Sequence, residues 1–305
     1  MNDIILHHYP GSPFAEKARC LLGYKQLAWH SVEIPLVMPK PDLVALTGGY
    51  RRTPVLQIGA DIYCDTALIA EVLERIAPLP SLFPEPVGGL SRILAQWADG
   101  PLFQAAVAHA YQSAVARGLL GGKEQVAAYV ADRAAMRGKH IAMGQAEADA
   151  CLSEYLCRLE DMLADGSPYL LGECATYADF AIYPPLWYVR RIRPEPSLLR
   201  QAPKLQAWMD RIAQIGHHRH DPLSAEQALA RARASTAQPP SGAALEGGFA
   251  RGARVRVSAL DANAGTVEGE LLACGANALA VRRDDPRAGQ VVVHFPRAGY
   301  ILSQA

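Results

Sequence analysis

Ser12-Pro13-Phe14-Ala15-Glu16-Lys17-Ala18-Arg19 places a hydroxyl at the start of a helix that follows a short apolar strand, Ile4 to Leu6. Proline suits the first helical position, where its missing N–H is no loss. The Ser12 hydroxyl then sits among unpaired backbone N–H groups and at the positive end of the helix dipole. Such a place stabilises a thiolate or another anion. The same residues also read as an ordinary serine N-cap, so a second element has to decide between the two.

That element is Arg52-Thr53-Pro54-Val55-Leu56-Gln57-Ile58, followed at hairpin distance by Ile62-Tyr63-Cys64-Asp65-Thr66-Ala67-Leu68-Ile69. Proline cannot donate to a sheet ladder, so Pro54 is expected to begin the strand, with a cis bond after Thr53. Main-chain groups beside it are then free to pair with an extended peptide ligand. Asp65-Thr66 caps the next helix. Its N–H groups and the Thr66 hydroxyl can hold a carboxylate, and the Asp65 carboxylate can take an amino group. One ligand with a thiol, a peptide backbone and an α-amino acid end satisfies all three places: glutathione.

With these motifs in this order, residues 1 to about 220 resemble the glutathione transferases. Their N-terminal domain is thioredoxin-like, with a helix-opening Ser, Tyr or Cys, a cis-Pro before a strand, and a Glu/Asp-Ser/Thr pair capping the following helix. Ser12 to Arg19 is closest to the Cys-Pro-Phe-Ala-Glu-Arg-x-Arg segment of the omega-type members, with serine in place of cysteine. The resemblance implies that glutathione, as cosubstrate, binds between Pro54 and the first helix. Its contacts would come from Pro13, Phe14, Arg52, Thr53, Pro54, Val55, Asp65 and Thr66, with Arg51 or Arg52 on the glycine carboxylate. It also implies a small electrophilic substrate, a detoxifying role, a homodimer and a cytoplasmic location.

Ser12 is the chosen activator of the glutathione thiol. Lowering a thiol pKa by one to two units from near 8.5 takes roughly 1.4 to 2.7 kcal/mol of preferential thiolate stabilisation. One hydroxyl hydrogen bond and a helix terminus together supply about that much. Tyr9 and His8 are the rival donors. A thiol-disulfide oxidoreductase is disfavoured, because serine at position 12 cannot form the mixed disulfide. The remaining alternative is a non-catalytic relative whose β domain recognises a protein partner.

The elements that must position these groups follow from periodicity. Strand Ile4–His7, helix Pro13–Tyr24, strand Trp29–Glu33, a Pro-rich loop, strands Val55–Ile58 and Asp61–Cys64, and helix Thr66–Ile76 make an α/β thioredoxin-like unit, residues 1–78. Beyond a Pro-rich linker, helices Leu90–Arg117, Glu124–Met136, Ile141–Leu163, Tyr177–Val189 and Pro203–Ile215 make an all-α helical-bundle domain, residues 87–235. Thr176-Tyr177-Ala178-Asp179 reads as a capping box with a folding role. From Ser235 to Gly248 small residues and Pro239-Pro240 form a flexible connection. Segments Arg254–Leu260, Thr266–Ala273, Ala278–Arg283 and Gln290–Phe295 then predict a small all-β barrel-like domain, residues 249–305, which should fold independently. The two-domain transferase pattern lacks it.

Composition narrows the partners. Thirty Lys and Arg balance thirty Asp and Glu, so the overall field attracts neither nucleic acid nor an acidic membrane. No apolar run approaches the ~18 residues of a membrane helix, and Met1-Asn2-Asp3 lacks the basic start of a secretory signal. Cys20, Cys64, Cys151, Cys157, Cys174 and Cys274 form neither a Cys-x-x-Cys pair nor a Cys/His metal spacing, so no metal is expected. His217-His218-Arg219-His220 reads as a helix-end cluster, Arg190, Arg191 and Arg193 as a solvated face, and Trp97, Trp187 and Trp208 as core.

Overall fold

The computed structural model describes residues 3–137, 142–193, 198–238, 248–261 and 263–305. Ile141, Pro239-Pro240 and the first two residues of the chain, all used above, lie outside them. The first unit runs β1 (Ile4–His8), α1 (Pro13–Tyr24), β2 (Trp29–Glu33), α2 (Pro41–Thr47), β3 (Val55–Ile58), β4 (Asp61–Cys64) and α3 (Thr66–Ile76). β1 is parallel to β2 and antiparallel to β3, and β3 is antiparallel to β4, giving the thioredoxin-like sheet. Helix α2 stands where the sequence predicts only a Pro-rich loop. Pro41 opens it with a preset φ, and Gly48 closes it at φ 79°, a conformation that favours glycine.

The helical domain contains α4 (Gly88–Trp97), α5 (Phe103–Ala116), α6 (Lys123–Arg137), α7 (Gln145–Met162), α8 (Tyr177–Ile192) and α9 (Pro203–Ile215). The single helix predicted over 90–117 is divided by a π-helical turn, Ala98–Leu102, that contains Pro101. Proline lacks the donor an α-helical ladder needs, and the wider turn absorbs the defect. Helix α8 packs on α1, and Trp208, Tyr183 and Phe180 fill the core between the domains. The capping box forms: buried Asp179 accepts from the Thr176 N–H at 2.8 Å, and also from the Leu170 N–H and the Trp208 indole.

After α9 the chain departs from the helical run predicted to residue 235. Strand β5 (His220–Pro222) pairs in parallel with β2, and α10 (Ala225–Arg233) packs against α2, β2 and the C-terminal strands. The Gln57 side-chain amide donates to the Ala228 carbonyl at 2.9 Å, tying α10 to the first sheet.

The C-terminal strands are β6 (Arg254–Ala259), β7 (Thr266–Cys274), β8 (Ala278–Asp285), β9 (Gly289–Pro296) and β10 (Tyr300–Gln304). The first four form an antiparallel meander, and β10, which has no counterpart in the sequence reading, returns to pair with β6. The resulting order β10-β6-β7-β8-β9 makes one antiparallel sheet of the C-terminal strands. Its outer strand β9 lies parallel to β4, so all ten strands make one sheet in the order β10-β6-β7-β8-β9-β4-β3-β1-β2-β5. One core crosses the seam: Leu43, Leu46, Val55 and Ile62 pack with Val255, Leu279, Val281 and Phe295. The unit predicted from the linker's composition to fold independently thus shares both a sheet and a hydrophobic core with the first domain. Among the described residues no helix is long and apolar enough to cross a membrane.

Candidate functional site

Strand register gathers the chemistry predicted from sequence. His7 lies opposite Val55, and Val55 opposite Cys64, on three adjacent strands. Ser12 follows β1, Pro54 precedes β3 and Asp65 follows β4, so all three sit at the same end of the sheet. The Thr53-Pro54 bond is cis. Val55 itself is fully buried in the core, which leaves only its main chain at the site.

Ser12 is the N-cap of α1. Its hydroxyl accepts from the Ala15 N–H at 3.2 Å, while its own N–H donates to the Tyr9 carbonyl at 3.2 Å. Two of the three rival thiol activators are thus joined through the main chain. Burial pushes the Tyr9 phenol pKa up, with Arg133 pulling the other way; the Arg133 guanidinium lies 3.5 Å from the phenol oxygen. His8 is placed differently. Its ring nitrogens meet Arg19 at 3.0 Å and Ser31 at 2.8 Å, and burial, reinforced by Arg19, pushes its pKa down to about 3. The ring is neutral and committed elsewhere.

Asp65 adopts φ 79°, unusual for a residue with a side chain, at the N-cap of α3. One carboxylate oxygen accepts from the Ala67 N–H at 2.9 Å, and the other from the Tyr300 hydroxyl at 3.0 Å. Thr66, the first residue of α3, is buried, and the buried Tyr177 phenol lies 3.4 Å from the Lys17 ammonium. Lys17, wholly buried, is paired with Asp99 at 2.5 Å. Burial raises the Asp99 pKa, and Lys17 opposes that rise. Asp99 comes from the π turn, so this pair joins the helical domain to α1. Phe14 is half-buried and rests on Phe103, ring centroids 4.6 Å apart, and Pro13 is buried.

The arginines assigned to a ligand carboxylate hold carboxylates of the protein. Arg52 pairs with Asp261 of the β6–β7 loop at 2.7 Å, and Arg51 pairs with Asp132 of α6. Lys40, which the sequence reading did not select, is the buried cation beside Pro54. Its ammonium lies 3.3 Å from both the Thr53 hydroxyl and the Arg51 carbonyl, and 5.9 Å from the Tyr9 ring centroid. Burial, reinforced by Arg133 and Arg51, pushes its pKa down to about 8. Its position between two prolines, Pro39 and Pro41, was the only sequence signal.

The histidine cluster is more than a helix end. His217 reaches Glu16 at 3.1 Å, and the donor atoms of Glu16, Cys20 and His217 lie within 4.8 Å of one another. Arg19 also donates to Glu16, at 2.6 and 3.0 Å, and so offsets its charge. Burial pushes the Cys20 thiol well up. Buried Glu16, Arg19 and Cys20 and the half-buried His217 thus satisfy one another as a network.

Comparison with known proteins agrees with this architecture. The model of the glutathione S-transferase N-terminal domain matches residues 6–81, and that of the C-terminal domain matches residues 124–211. No curated protein matches the chain. Among solved structures, a GST-like protein from Pseudomonas syringae is 38% identical over 100% of both chains, with a TM-score of 0.82. A glutathione S-transferase from Rhodospirillum rubrum F11 shares 21% identity over 68% of this chain and 87% of its own, with a TM-score of 0.53. A glutathione transferase from Phanerochaete chrysosporium shares 20% identity over 70% and 98%, with a TM-score of 0.57. The last two share the fold of the first two domains, whereas the Pseudomonas protein matches along the entire chain, C-terminal strands included. The chain belongs to the glutathione S-transferase family.

Proposed function

We propose that the protein binds glutathione across the β1, β3 and β4 strand ends and activates its thiol for attack on a small electrophile. The observation that carries this reading is the register that brings Ser12, cis-Pro54 and Asp65 to one end of three neighbouring strands. The thiol lies at the α1 N-terminus, the peptide backbone beside Pro54, and the α-amino acid end at Asp65 and the α3 N-terminus. Lys40 is the cation nearest the far, glycine end.

Ser12 supplies the hydrogen bond to the thiolate. In the structure its oxygen accepts from the Ala15 N–H, which leaves the hydroxyl proton for the incoming sulfur. A hydroxyl donor and the α1 dipole favour the anion without a redox step. A homodimer in the cytoplasm belongs to the same reading and follows from family membership.

A glutathione thermal-shift titration tests it, since a ligand that binds only the folded chain raises the unfolding temperature. The expected result is a saturable rise, followed by turnover of a model electrophile. No rise at millimolar glutathione would remove the reading.

A further inference from the structure

The residue that touches the Asp65 carboxylate comes from the far end of the chain. Tyr300 opens β10, is buried, and places its hydroxyl 3.0 Å from the Asp65 Oδ2 and 3.3 Å from the Tyr50 hydroxyl. A carboxylate can only accept, so the single Tyr300 proton goes to Asp65, and Tyr50 donates to Tyr300. The Tyr300 ring is itself fixed: its centroid lies 5.1 Å from that of Phe295 and 6.5 Å from that of Tyr50. A rigid donor relay therefore runs from the first domain, through the added strand, and back to Asp65.

Asp65 needs such a partner. At φ 79° its backbone is held in a region side chains seldom adopt, and the Ala67 N–H engages only one of its two oxygens. Tyr300 engages the other. Each oxygen keeps a lone pair on which an ammonium can donate. The same β unit makes a second contact through its β6–β7 loop: Asp261 pairs with Arg52 at 2.7 Å, and the Arg51 N–H donates to the Ala264 carbonyl at 2.9 Å. The β unit thus meets the first domain at Asp65 and again at the two residues, Arg51 and Arg52, that lead into Thr53-Pro54.

We propose that Tyr300 is a positioning residue for ligand recognition: the added C-terminal strand orients the Asp65 carboxylate toward the α-amino group of glutathione. This rests on the glutathione reading above. The β unit is then part of the binding site as well as an extension of the sheet.

The test is calorimetric titration of the full-length protein and its Tyr300→Phe variant. Two ligands are compared, glutathione and its deamino analogue, in which hydrogen replaces the γ-glutamyl amino group. Tyr300→Phe removes one oxygen and keeps the ring contacts. Glutathione should bind the variant about five- to twentyfold more weakly, the scale of disturbing a charge-assisted contact. The deamino analogue should bind both proteins alike. Equal glutathione affinity in the two proteins overturns the proposal, and so does an equal loss for both ligands, which marks a merely structural role. If Tyr300→Phe fails to fold, Tyr50→Phe, which removes only the donor behind Tyr300, carries the same comparison, with a loss confined to glutathione supporting the proposal and no such difference overturning it. Absence of glutathione binding in the unaltered protein would instead sink the site reading itself, and this proposal with it.

Discussion

Asp61 and His294 are 233 residues apart in sequence and 2.7 Å apart across the seam where β4 meets β9. The contact is buried, and the His294 ring also stacks on Tyr63 with centroids 4.5 Å apart. Both residues belong to the pairing that makes one sheet of two structural units.

Removal of residues 249–305 should therefore be severe. It strips the outer edge of β4 of its partner and uncovers Leu43, Leu46, Val55 and Ile62, which pack against the deleted strands. An exposed apolar edge strand invites aggregation. The truncated chain is expected to be insoluble or to melt well below the full chain in a thermal unfolding scan. A soluble product with the original unfolding temperature would show that the seam contributes little.

Acid should destabilise the fold through His7 and His8. Burial pushes the His7 pKa down to about 4, with the hydrogen bond to Gln57 opposing, and that of His8 down to about 3. Both rings are neutral in the folded chain and take up a proton near pH 6.5 once unfolded. Between those values the unfolded chain binds more protons, so stability rises with pH across the window and is lost as pH falls below about 6.5. The expected loss is about 2 kcal/mol from each ring by pH 5. Urea unfolding midpoints at pH 7, 6 and 5 check this, and a flat series would contradict it.

How far the sequence carried is visible in α1, β3, β4 and α3. Local signals defined them: Pro13 after Ser12, Pro54 before an apolar run, and Asp65-Thr66 before a helical period. The two hairpin strands and both helices keep the predicted limits. The capping box at Thr176 was legible for the same reason, since its partners are three residues apart. Tyr300 was not legible, because nothing near it in sequence points to Asp65, and β10 is a short strand whose burial depends on Tyr50 and Phe295. Lys40 was missed because prolines on both sides made the segment read as a loop. The break at Pro101 was written in the chain and passed over, because apolar spacing continued on both sides of it.

Asp65→Asn should weaken glutathione binding while leaving the fold intact. Asparagine tolerates positive φ and can still cap α3, so the change removes charge and little else. The loss is expected at about 1.5–3 kcal/mol, roughly ten- to a hundredfold in affinity. Calorimetric titration measures it. An unchanged Kd would remove Asp65 from the site.

Lys40 gives the site a pH dependence of its own. With its pKa pushed down to about 8, the ammonium loses its proton as pH rises through that value, and its attraction for an anionic ligand end goes with it. Affinity for S-methylglutathione should fall between pH 7 and 9. Lys40→Arg, which stays charged, should flatten that part of the profile. Parallel profiles for the two proteins would show that Lys40 does not meet the ligand.

The most direct measurement is the ionisation of the bound glutathione thiol, followed by thiolate absorbance against pH in the unaltered protein, Ser12→Ala and Tyr9→Phe. With Ser12 as the donor, the bound thiol should titrate one to two pH units below its free value of about 8.5. Ser12→Ala should return most of that displacement and slow conjugation of a model electrophile. Tyr9→Phe, which removes a phenol that the Arg133 guanidinium contacts and leaves the Ser12 hydroxyl in place, should leave the thiolate stabilised. An unchanged titration in Ser12→Ala, with the displacement lost instead in Tyr9→Phe, would contradict the account and make Tyr9 the activating group.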